Sequence, residues 1–110
     1  MKLTGKTKKD FEKWLEQQDV APYKTMFWDV PEIIQSSYII EFFDSVGIKI
    51  LPCYGLSGWY CELKNYNDKF FGNYKCYLIC KDSINDFNTR QEATGKAIEK
   101  ANEIYNNKIA

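Results

Sequence analysis

The last long helix of this chain opens on a capping box, and that helix constrains the rest of the fold. Thr89 is spaced to accept a hydrogen bond from the backbone N–H of Glu92, while the Glu92 side chain reaches back to the Thr89 N–H. Ala93, Ala97, Ile98, Ala101, Ile104 and Tyr105 then recur on one face. The three alanines on that face let the helix lie close against a sheet. Gly95 costs roughly 1 kcal/mol against Ala without ending the pattern.

The sheet it needs lies just upstream. Ile48 to Cys53 reads as a first strand stopped near Pro52, and Gly55 and Gly58 mark a turn. In the second, Trp59 to Lys64, the side chains of Trp59, Cys61 and Leu63 face one way and those of Tyr60, Glu62 and Lys64 the other. Lys75 to Lys81 is a third strand, and NYNDKFFGN between them reads as a polar turn carrying an aromatic pair. Three short sequential strands favour an antiparallel meander.

Two helices precede the strands. Pro31 suits a first helical turn, where its missing N–H leaves nothing unpaired. Ile34, Tyr38, Ile39, Phe42, Phe43 and Val46 give a wide apolar face, and Gly47 supplies the left-handed residue that ends many helices. Earlier, Thr7 with Asp10 three residues on is a weaker capping box, followed by Phe11, Trp14 and Leu15 at helical spacing. This first helix, about 7–18, reads as a cover over a core spanning about 31–107. The expected fold is one α+β domain over residues 1–110, with the order α-α-β-β-β-α and a three-stranded antiparallel sheet carrying helices mainly on one face.

At 110 residues there is room for one core. Seven Phe, eight Tyr and three Trp can either fill that core or leave rings over for an interface. The 15 basic and 15 acidic side chains cancel, so no overall field draws the chain to nucleic acid or an anionic membrane. The opening segment has no secretory apolar run and no segment is long enough to cross a bilayer, so the cytoplasm of whatever cell makes the chain, with reduced thiols, is the expected location.

Histidine is absent, which removes the commonest general base, nucleophile partner and metal ligand. The cysteines, Cys53, Cys61, Cys76 and Cys80, lack the close pair of a structural zinc site. On one strand, Cys76 and Cys80 stand roughly 13 Å apart, at about 3.3 Å per residue. They read as buried small hydrophobic thiols. Glu41 and Asp44 are neighbours on one helix, too few to hold a hard cation and more simply an acidic face. GLSG at Gly55 to Gly58 leads into a strand rather than a helix, so it is a hairpin turn and not a phosphate loop. No enzymatic activity, cofactor or metal is expected.

Two surfaces remain as binding candidates. Tyr60, Lys64, Tyr66, Phe70, Phe71, Tyr74, Lys75 and Tyr77 interleave rings with positive charge, as single-strand binders do. Glu41 and Asp44 mark the acidic second helix. The leading expectation is protein–protein binding through one of these, with self-association as a homodimer among the options. RNA or single-stranded DNA binding across residues 59–81 is the alternative, and sequestration of a small molecule or nucleotide a further one. No membrane partner is expected.

From Pro31 to Asn107 the element order resembles that of the double-stranded-RNA-binding domain, with FNTRQEATGKAIEKA in the place of its second helix. Where that family clusters lysines against phosphate, this chain carries only Arg90, with Glu92 beside it. The segments MKLTGKTKKDFEKW, FFDSVGI and TRQEATGKAIEKANEIYNN are similar to short uncharacterised proteins of bacteriophages and prophages. That resemblance implies a mobile-element origin and carries no activity with it.

Overall fold

The computed structural model describes residues 3–18, 26–70, 73–82 and 86–108. Helix α1 spans Gly5–Glu16, a short 3₁₀ turn Phe27–Asp29 follows, and α2 spans Glu32–Ser45. Strands β1 (Ile48–Gly55), β2 (Gly58–Phe70) and β3 (Asn73–Ile79) come next, and α3 (Arg90–Lys108) closes the order. The strands form one antiparallel sheet in the order β1-β2-β3. This is the α+β architecture that the sequence implies.

Register decides which side chains meet the helices. Ile48 pairs with Asn65, Ile50 with Leu63 and Pro52 with Cys61, while Tyr77 and Ile79 pair with Leu63 and Cys61 from the other side. The buried members of this set, Ile48, Ile50, Cys61 and Leu63, pack with Ala93, Ala97, Ile98 and Ala101 of α3 in one core. All three alanines are fully buried, as a close helix–sheet contact requires. The opposite face of the sheet carries Leu51, Tyr60, Glu62, Lys64, Cys76 and Leu78, none of them buried.

Of the three described glycines at positive φ, Gly47 and Gly58 shape the joints of the sheet. Gly47 ends α2 at φ +85°, and the Asn67 side chain lies against it while donating to the Val46 carbonyl at 2.6 Å. Gly58 sits at φ +124°, where an added Cβ would stand 2.6 Å from the Phe87 carbonyl oxygen. That close approach lets Phe87 pair with Trp59 as a bridge in line with β3.

Several sequence expectations are corrected. β2 does not stop at Lys64: it runs to Phe70 with its register against β3 shifting between Asn65 and Lys69. Most of the expected polar turn is therefore strand, because the extra residues are accommodated as a bulge. The core also extends ahead of Pro31, since Leu3, Phe11, Leu15 and Phe27 belong to it. Phe11 packs against the rings of Trp14, Phe27, Trp28 and Phe42, so α1 fills the core rather than covering it.

The start of α1 differs too. Thr4, not Thr7, is the N-cap residue, and its own side chain makes no capping bond. Thr7 is buried one turn in. Asn106 of α3 takes the capping role: its Oδ1 accepts from the Thr7 N–H at 2.9 Å and from the Thr7 hydroxyl at 2.7 Å, and its Nδ2 donates to the Thr4 carbonyl at 3.1 Å. Asn102 accepts from the Thr4 N–H at 3.0 Å and donates to the Thr4 hydroxyl at 3.0 Å. Tyr105 adds a third link between these helices, donating its hydroxyl to Asp10 at 2.6 Å. Burial and the Asp10 bond push the Tyr105 hydroxyl up to about 12.

At α3 the Glu92 N–H donates to Thr89 Oγ1 at 3.1 Å, as the capping box predicts. The return contact differs, since the Thr89 hydroxyl donates to the Glu92 carboxylate at 3.3 Å.

Candidate functional site

Alternation along the strands sorts the residues that the sequence groups together. Tyr60 and Lys64 lie on the outer face, whereas Lys75 and Tyr77 pair with the buried Asn65 and Leu63 and so lie on the helix side. The Tyr77 ring receives Lys75 at 5.4 Å and Lys100 of α3 at 5.3 Å, which ties it to the helix layer. Tyr66 is exposed at the bulge, its N–H donating to the Gly47 carbonyl at 2.8 Å. Phe70 ends β2 opposite Asn73, and Tyr74 pairs with Lys69. Phe71 lies outside the described residues. The basic and aromatic residues thus do not share one face.

Glu41 and Asp44 are both exposed on α2, and Asp44 pairs with Lys49 at 3.4 Å. Their carboxylates form a solvated acidic surface partly neutralised by the neighbouring strand.

Most described rings are spent on the core. Phe27, Phe42, Phe43, Phe87 and Tyr105 are buried along with Phe11, and Trp14, Tyr38 and Trp59 pack against them. Gln35 closes this region by donating to the Trp28 and Val30 carbonyls at 3.1 and 2.9 Å.

What remains open is the outer face of the sheet. Leu51, Glu62 and Leu78 form a row across all three strands, with the leucines 40% and 66% exposed. Lys49, Lys64 and Cys76 form the next row. Cys53 lies opposite Tyr60 on the far side. Lys64 approaches Glu62 at 3.9 Å, so the central charges are paired within the face. The sequence hides the exposure of Leu78 because in KCYLICK the set Cys76, Leu78 and Cys80 is the apolar one and marks the core side, whereas the set that faces the helices carries Lys75 and Lys81.

The thiols need correction as well. Only Cys61 is buried; Cys53 is half-buried, and Cys76 and Cys80 are exposed, Cys76 on the outer face of the sheet and Cys80 just past the end of β3. Burial pushes the Cys61 thiol up to about 11, opposed by a hydrogen bond with Thr94 and by the Arg90 charge. Partial burial and then Asp86 raise the Cys80 thiol, and Tyr60 is raised first by Cys53. Each of these shifts favours the neutral, protonated form, the reverse of an activated nucleophile. Among the described residues, no three His, Cys, Asp or Glu side chains gather as a metal site.

Among the grooves elsewhere, one of about 480 Å³ is lined by Ile33, Ile40, Pro52, Arg90 and Thr94 among others. Arg90 is its one charged lining residue.

The fold and this face together define a class: a small α+β domain whose antiparallel meander is covered by helices on one side and, among the described residues, by no helix on the other. Comparison with protein families, curated proteins and solved structures finds no match to this chain. No described helix is long and apolar enough to cross a membrane.

Proposed function

We propose that this chain is a non-catalytic protein-binding domain that takes its partner on the bare outer face of the sheet. The observation that carries the reading is the row Leu51, Glu62 and Leu78, which presents a leucine to water on each edge strand with the Glu62 carboxylate on the central strand between them. Exposed apolar side chains interspersed with charged ones suit a partner surface. Tyr60 adds an amphipathic ring beside the row. A host or phage protein met in the bacterial cytoplasm is the partner we propose, on the sequence reading alone in which three segments resemble bacteriophage proteins.

The test is capture of partners from bacterial lysate by the native chain, by a Leu51→Glu/Leu78→Glu double variant and by a Lys96→Glu control on α3. The leucine variant should keep its melting temperature within a few degrees and lose the captured protein, which the control retains. Equal capture by all three sinks the reading.

A further inference from the structure

The two edges of the sheet are built differently, and the hydrogen-bond directions show how. Trp59 pairs with β1 on one side, and on the other it exchanges backbone bonds with Phe87 at 2.9 and 2.8 Å. Its N–H and C=O therefore point toward the β3 side, and by alternation so do those of Cys61, Leu63 and Asn65. The Tyr66 N–H, of opposite parity, donates to Gly47 on the β1 side, which agrees. Lys75, Tyr77 and Ile79 consequently bond to β2, leaving the N–H and C=O of Cys76 and Leu78 directed outward.

On β1 the same rule turns Ile50 and Pro52 outward. Pro52 has no N–H to offer, and with Ile33 and Ile40 of α2 it lines the groove beside that edge. A proline and a flanking helix are two devices that block strand addition. β3 has no proline, and among the described residues no backbone outside β2 bonds to its strand.

We propose that the β3 edge pairs antiparallel with the β3 edge of a second copy, joining two three-stranded sheets into one of six strands. Charge selects the register. With Cys76 opposite its own copy, Lys75 faces Tyr77 twice, a pairing of cation and ring that Lys75 already makes within its own strand. A shift one way sets Lys75 against Lys75, which repels; the other way loses both cation–ring pairs. The dimer uses the edge and not the face, so it stands or falls separately from the binding reading above.

Sedimentation of the full chain across a concentration series, under reducing conditions, tests it. The native chain should move from monomer toward twice that mass as concentration rises. Cys76→Pro removes an N–H that β2 does not use, so the variant should fold as β1 does around Pro52 and remain a monomer. Cys76→Lys, which sets two charges on the axis, should do the same and serves if the proline variant does not fold. With Cys53→Ser and Cys80→Ser, leaving Cys76 as the accessible thiol, a short bis-maleimide should link two chains, the Cα atoms being about 5.5 Å apart in such a pair. A native chain that stays monomeric to about 1 mM overturns the proposal. So does a dimer that both Cys76 variants leave intact and Leu51→Glu abolishes, which would place the contact on the face.

Discussion

The first and last helices begin in opposite ways. Helix α3 is capped from three residues away, by Thr89 and Glu92 holding each other and one backbone N–H. Helix α1 is capped from the far end of the chain, by Asn106 and Asn102 reaching Thr4 and Thr7. The first start is a property of local sequence and the second a property of the assembled fold. One needs only residues 89–92 in helical register; the other exists only when α1 and α3 are already docked.

That contrast sets the size of mutational effects. Asn106→Ala should be the largest, about 2–3 kcal/mol by chemical denaturation, because it leaves the N–H of buried Thr7 without its partner and takes one partner each from the Thr7 hydroxyl and the Thr4 carbonyl. Replacing Thr7 by Val keeps the shape and removes a hydroxyl that donates to Asn106 Oδ1 and to the Asn102 carbonyl at 3.2 Å. A loss of about 1–2 kcal/mol is expected, and a neutral result in thermal melts would mean the junction is wet. Thr89→Ala should cost about 1 kcal/mol, with amide exchange quickening in the first turn of α3 while α1 stays protected.

The smallest effect at neutral pH is the Tyr105→Phe link to Asp10, and it changes with pH. The Tyr105 hydroxyl ionises near its ordinary 10.0 when unfolded and near about 12 when folded. Its stabilisation is therefore complete below pH 10 and lost as pH rises from 10 toward 12. Tyr105→Phe should flatten that part of a stability–pH curve, while the slope beginning near pH 9 from Cys61 persists.

The same division explains what the sequence discloses. The last helix, Gly47, the meander and the inward set of Cys61 and Leu63 all rest on spacings within one element, and all are present. Asp10 follows Thr7 at the interval of a capping box, but the partners of Thr7 lie 95 or more residues away. The depth of α1 was hidden for a like reason: Phe11 has one short stripe around it in sequence, and its ring neighbours Phe27, Trp28 and Phe42 come from two other segments. The candidate site suffered most. Tyr60 and Lys64 share a face with Leu51 and Leu78 only through strand pairing, and the same pairing sends Lys75 and Tyr77 to the other side.

The two asparagines also impose an order in time. A ribosome delivers Thr4 and Thr7 about a hundred residues before Asn106, so α1 is translated first and completed last. Until then its apolar stripe of Phe11, Trp14 and Leu15 has no finished seat, and a chaperone that holds such stripes would find this one early.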